Sequence, residues 1–154
     1  MSDTAKQKVL VVEDKQTNPT NTKALVQSLG YEVFEATDGL QAIEVFNHIN
    51  PDIVLLDIVI PRIDGLDVLK KIRETNKPCG VIMTSTISSE QLVVKCMQDG
   101  ADDYVRKPVK VRNLQLNINR ALDRMQQREA ESERITQLET EVAELKEELT
   151  KHQG

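Results

Sequence analysis

Short apolar runs rich in β-branched residues and leucine alternate along this chain with segments of helical periodicity, and few folds accommodate that rhythm. Lys8 to Val12, Tyr31 to Ala36, Ile53 to Asp57 and Gly80 to Ser85 read as strands, and Ala101 to Val105 leads through a shorter fifth. Ile53 to Leu56 is wholly apolar, the mark of a strand buried on both faces of a parallel sheet. Helix signals fill the gaps. Asn18 with Pro19 has the form of an N-cap and first helical position, and Gly30 ends that helix. Asp38 with Gln41, and Ser88 with Gln91, have the spacing of capping boxes. The first opens a helix through Ala42, Ile43, Val45 and Phe46 that stops before Pro51; the second opens one that Gly100 closes. A loop from Ile58 to Asp64 leads into a helix with Leu66, Val68, Leu69 and Ile72 on its inner side, and the last helix begins near Val111. Strand-then-helix units with short connections imply an α/β fold, a parallel sheet covered on both faces. Five such units are too few for an eight-stranded barrel, so a doubly wound sheet is expected; periodicity leaves the strand order open.

Parallel strands present their carboxyl ends at one edge, where ligands of open α/β sheets bind. Val9 to Val12 runs into Glu13 and Asp14, Ile53 to Leu56 into Asp57, and Tyr104 to Arg106 into Lys107-Pro108. Three carboxylates facing one ammonium leave two negative charges, which match one divalent cation. Mg²⁺ fits best, because it accepts one or two carboxylates, keeps several waters and leaves positions for phosphate oxygens. An aspartate beside it can attack a phosphoryl group and form an acyl phosphate, helped by charge neutralisation from Mg²⁺ and Lys107. Esterifying the Asp57 carboxylate in this way changes the local charge by about −1 and adds strong acceptor oxygens.

The chain resembles the receiver domain of two-component response regulators. Leu10-Val11-Val12-Glu13-Asp14, Leu55-Leu56-Asp57 with Pro61 and Asp64-Gly65, Met83-Thr84-Ser85, Gly100-Ala101-Asp102-Asp103-Tyr104 and Lys107-Pro108 carry the resemblance, from Lys8 to about Met125. It implies a flavodoxin-like sheet in the order 2-1-3-4-5. It also implies Asp57 as phospho-acceptor, Asp14 and Asp57 as direct Mg²⁺ ligands, Glu13 as a ligand through water and the Val59 backbone carbonyl as another. Lys107 resembles the phosphate-binding lysine, in a Lys107-Pro108 bond usually cis in this family. Ser85 resembles the hydroxyl that moves onto the phosphoryl group, with Thr84 a rival next to it, and Tyr104 the aromatic switch coupled to it. The implied partner is a sensor histidine kinase or phosphotransfer protein, and the chain would be a switch rather than an enzyme.

Some positions depart from the common pattern. Glu13 stands where Asp is more frequent, and Ser85 where Thr is. Thr86, placed with the switch residues, replaces a smaller residue and narrows access to the acyl phosphate. Val59 and Ile87 are apolar where relatives often carry polar groups that tune hydrolysis. A phosphorylated state longer-lived than in fast chemotaxis-type receivers is expected.

Rival chemistries fit less well. A haloacid-dehalogenase-like phosphatase needs a second Asp two residues after the nucleophile, where Val59 stands; an FMN binder would want small hydroxyl or glycine residues in the first loop, where Glu13-Asp14 would repel phosphate. A phosphorylation-independent interaction module on the same fold is the alternative that the site residues leave open. With no Trp, two Tyr and two Phe in 154 residues, and no basic stripe, nucleic-acid binding is not expected. No apolar run is long enough to span a bilayer and the leader is polar, so a cytoplasmic protein off the membrane is expected. Cys79 and Cys96 lack metal-ligand spacing and read as reduced core thiols; His48 and His152 read as surface residues.

Of the chain's net charge of −5, −4 lies from Gln126 onward, where eight Glu face four Lys or Arg. From Val111 to Gly154 no Pro or Gly intervenes, so one helix of about 40 residues, roughly 60 Å, is expected. Leu114, Ile118, Ala121, Leu122 and Met125 supply a face for the sheet; Ile135, Leu138, Val142, Leu145 and Leu149 then recur at spacings of three and four. With Ile135 and Val142 at a, and Leu138 and Leu145 at d, the pattern is that of a parallel two-stranded coil. Arg134 would face Glu139 of a second copy, and Glu141 would face Lys146. The expected organisation is a receiver over 1–125 and a coiled-coil extension over 126–154, forming a parallel homodimer through 135–149. With no output motif in the chain, the last helix is either the output or the stalk of a larger effector protein.

Overall fold

The computed structural model describes residues 6–14, 21–87 and 89–153. Its elements follow the order β1 (Lys8–Val12), α1 (Thr22–Ser28), β2 (Glu32–Ala36), α2 (Gly39–Ile49), β3 (Ile53–Asp57), α3 (Gly65–Glu74), β4 (Gly80–Ser85), α4 (Glu90–Gln98), β5 (Asp103–Arg106) and α5 (Val111–Gln153). The strands are all parallel and ordered β2-β1-β3-β4-β5, as the resemblance implied.

Strict alternation along the strands divides the core in two. Leu10, Val12, Val54, Leu56, Val81 and Met83 pack under α2, α3 and α4 with Phe46, Leu69, Ile72 and Cys96. Val9, Val11, Ile53, Leu55 and Ile82 pack on the other face with Val26 of α1 and Leu114, Ile118 and Ala121 of α5. Residues two apart on a strand share a face, so each central strand is apolar along its length up to the carboxyl edge. This is why β3 and β4 are buried throughout. Gly80 lets α5 approach the sheet, since a Cβ there would lie 3.1 Å from the Ala121 methyl.

Helix starts agree with the sequence in part. The Asp38 carboxylate accepts from the Gln41 N–H at 2.8 Å, while the Gln41 side chain reaches back to the Thr37 N–H rather than to that of Asp38. Asn18, Pro19 and Ser88 lie outside the described residues. The observed caps are Asn21 for α1 and Ser89 for α4. Cys79 and Cys96 are both buried in the core, and Val94 is an exposed apolar residue of α4.

Both thiols are closed off. Burial pushes the Cys79 thiol up to about 12 and raises that of Cys96 as well. Neither is expected to react with a thiol reagent in the folded chain, and both should react once it is denatured. An unfolded Cys79 would ionise near 9.0, so its contribution to stability is complete below that pH and is lost as pH rises towards about 12. Denaturant titrations across this alkaline range measure that slope. No helix among the described residues is long and apolar enough to cross a membrane.

Candidate functional site

The carboxyl edge of the sheet collects the residues singled out in the sequence. Asp57 is the last residue of β3, Ser85 the last of β4, Lys107 follows β5, and Glu13 and Asp14 follow β1. The β1–β3 register pairs Val12 with Leu56, so Glu13 and Asp57 continue adjacent strands side by side.

Asp57 is only 5% exposed, yet both of its carboxylate oxygens have partners. The Lys107 ammonium donates to Oδ2, and the Val59 N–H donates to Oδ1 at 3.1 Å. A buried carboxylate needs both kinds of support, because burial alone disfavours its charge. Val59 turns its side chain outward, 63% exposed, while its backbone serves the site.

The loop after β3 is held tightly. The Ile58 N–H donates to the Thr84 carbonyl at 3.0 Å and the Gly65 N–H to the Ile58 carbonyl at 2.8 Å. A Cβ on Gly65 would lie 2.3 Å from the Asp57 carbonyl oxygen and 2.7 Å from the Ile58 Cα, so only glycine lets α3 start this close to Asp57. Gly65→Ala should therefore shift the backbone that carries Asp57. The expected cost is about 1–3 kcal/mol in thermal unfolding, with slower phosphoryl uptake by intact mass.

Glu13 donates its N–H to the Ala36 carbonyl and accepts a hydrogen bond from the Thr22 hydroxyl on one carboxylate oxygen. Thr22, buried at the first turn of α1, orients that carboxylate and was not singled out in the sequence. Asp14 is half-buried at the same edge. Among the described residues no group of three or more His, Cys, Asp or Glu side chains is placed to hold a metal ion, so Glu13, Asp14 and Asp57 do not converge as a three-carboxylate set. The donor set is still one that suits Mg²⁺, since hard carboxylate oxygens stand at adjacent strand ends and this ion completes its shell with water and phosphate.

Ser85 and Tyr104 are linked through Ile87. The Ser85 hydroxyl accepts from the Ile87 N–H at 3.0 Å, and the Tyr104 hydroxyl donates to the Ile87 carbonyl. Tyr104 thus meets Ser85 through one backbone residue rather than directly. Thr86 is exposed on the same loop. Thr84, the rival hydroxyl, is buried beside Asp57 in the β3–β4 register and finds no partner among the described residues. Lys107 is tied to this loop as well, its N–H donating to the Ser85 carbonyl at 2.8 Å, and the Lys107–Pro108 bond is cis.

A second polar cluster at the opposite end was missed in the sequence. Asp102, 1% exposed, accepts from the Arg73 guanidinium at 2.9 Å, from the Val81 N–H at 2.8 Å and from Arg128. Burial lowers the Arg73 pKa, and Asp102 opposes that shift. The doublet Asp102-Asp103 held the only signal: at the entry to a strand, neighbouring side chains point to opposite sides, so one of two acids must turn inward.

A family model described as the response regulator receiver domain matches residues 9–119. The chemotaxis protein CheY of Listeria monocytogenes is 37% identical over 102 residues, 66% of this chain and 86% of that protein. A cyclic di-GMP phosphodiesterase of Thermotoga maritima is 34% identical over 114 residues, 74% of this chain but 30% of its own length. A chain of a CheX–CheY–BeF3–Mg complex from Borrelia burgdorferi superposes with a TM-score of 0.67 at 32% identity, covering 73% of this chain and 86% of that one.

Proposed function

The chain belongs to the response regulator receiver family, and on that premise we propose that Asp57 accepts a phosphoryl group from a histidine kinase or phosphotransfer partner. The observation that carries this reading is the Asp57 carboxylate, buried at the sheet edge between the Lys107 ammonium and the Val59 N–H. An Asp57 oxygen forms a bond to phosphorus as the donor's bond to phosphorus breaks, leaving an acyl phosphate on the chain and the leaving group on the donor. Lys107 then has a phosphoryl oxygen to pair with in place of the free carboxylate. Asp14 and Asp57 would hold Mg²⁺ directly, with Glu13 through water and the Val59 carbonyl. When bound, that ion would neutralise the developing charge on the transferring oxygens.

Ser85 and Tyr104 are the residues through which the new charge would be felt. A phosphoryl oxygen would accept from the Ser85 O–H; a turn of that side chain towards it would give up the bond its oxygen accepts from the Ile87 N–H, and any shift of Ile87 alters the acceptor of the Tyr104 hydroxyl. The chain acts as a switch, in the cytoplasm, and its output runs through α5. Ile135, Leu138, Val142, Leu145 and Leu149 are between 45% and 60% exposed along one stripe, which a parallel homodimer would cover.

Incubation with Mg²⁺ and a small phosphodonor should add the mass of one phosphoryl group, mapped to Asp57. An unmodified chain with every donor tried would favour the interaction module that works without phosphorylation. The exposed apolar Val59 and Ile87 flank the site, 63% and 51% exposed, and offer no polar group to guide an attacking water. The phosphoryl group should accordingly persist for minutes or longer. Decay within seconds, followed by mass, would overturn that expectation.

A further inference from the structure

The heptad frame of the stalk can be followed backwards into the receiver. Sevens counted from Ile135 reach Arg128, Ala121 and Leu114 at a; from Leu138 they reach Glu131, Arg124 and Asn117 at d. Leu114, Asn117 and Ala121 are buried in the chain's own domain. A regular coil with a second copy must therefore end downstream of Ala121. Between the core and the first apolar position, Ile135, the track carries Arg124, Arg128 and Glu131, charged at every a and d position.

Two of these three are tied back to the receiver by hydrogen bonds, although both remain exposed to solvent. The Arg128 guanidinium donates to both Asp102 carboxylate oxygens and to the Cys79 carbonyl, the last at 3.0 Å. Arg124 donates to the Asp102 main-chain oxygen. Freed, they would place four guanidinium groups around the axis of a parallel pair, where like charges at a and d positions repel. Asp102 stands two residues before Tyr104, in the segment that joins α4 to β5.

We propose that Asp102 gates the homodimer: by holding Arg128 and Arg124 it withdraws two cationic side chains from the track on which a second copy of α5 docks. The pairing then closes from Glu131 onward. This rests on the parallel-dimer reading above, whose partner is set by the complementary pairs Arg134 with Glu139 and Glu141 with Lys146.

Sedimentation of the full chain over a concentration series tests it. Arg128→Leu should tighten the dimer by about tenfold or more, because removing the guanidinium lets the pairing extend upstream of Glu131 to an apolar a position. Glu131→Leu should do the same at d, whereas Glu133→Leu, at f on the far side, should change little. Asp102→Asn should loosen the dimer by about tenfold as Arg128 loses its anionic partner and returns to the axis, while Arg124 keeps the main-chain oxygen. If Asp102→Asn folds poorly, Arg128→Leu and Glu131→Leu decide. Leucine variants at 128 and 131 that dimerise no more tightly than Glu133→Leu, or a folded Asp102→Asn that dimerises as tightly as wild type, would overturn the gate. A wild-type chain that stays monomeric, with Leu138→Glu indistinguishable from it, would overturn the dimer reading itself.

Discussion

Asp57→Asn should take up no phosphoryl group from any donor, while folding as the parent does. Lys107 and the Val59 N–H donate to different oxygens of Asp57, so the single amide oxygen keeps one of these hydrogen bonds and gives up the other, while the side chain keeps its size. What disappears is the anionic oxygen that attacks phosphorus; Glu13 is engaged with Thr22, and the Thr84 hydroxyl has no hydrogen-bond partner among the described residues. Lys107→Ala keeps the nucleophile and removes the cation, so uptake should continue about 10²-fold more slowly. Intact mass against time, with far-ultraviolet circular dichroism as the control for folding, measures both. Modification of Asp57→Asn at the parent rate would move the acceptor to another residue.

Asp102→Ala should cost about 3–5 kcal/mol of folding stability, the range for leaving a buried charge without its partner. Arg73 and Arg128 both point at this carboxylate, and the Val81 N–H of β4 donates to it at 2.8 Å. Such a loss is a large part of the roughly 5–15 kcal/mol that holds a domain of this size folded. The adjacent Asp103→Ala should cost no more than about 1 kcal/mol. Its carboxylate accepts from Asn117 at 2.8 Å and sits 4.0 Å from a half-exposed Arg120, a pair that solvent already screens. Chemical denaturation of the two variants gives the comparison. Equal losses would show that Asp102 is no more embedded than its neighbour.

Much of the fold was legible because strands and helices leave different periodicities. The apolar runs Leu10 to Val12 and Ile53 to Leu56 could only be central strands, and Asp38 with Gln41 marked the start of α2 to the residue. Legibility failed where two signals stood side by side. Ser88 and Ser89 are both good caps, and only the backbone chose Ser89, whose hydroxyl meets the Leu92 N–H at 3.4 Å. At the site, Asp57 and Lys107 were identifiable from strand ends alone. Thr22 was not, since a threonine at a helix start has an ordinary local explanation, and its bond to Glu13 joins elements nine residues apart.

The sequence by itself determined the alternation of strand and helix, the acids and lysine that end the strands, and the apolar stripe from Ile135 to Leu149. These are local properties, written in spacings of two, three and four residues. Only the tertiary structure decided which of Asp102 and Asp103 turns inward, that Arg73 and Arg128 converge on it from positions 29 and 26 residues away, and that Ile87 bridges Ser85 and Tyr104. Those contacts arise where separate elements meet. A carboxylate is drawn to whichever guanidinium the packing of two distant helices brings within reach, and that outcome has no periodicity along the chain.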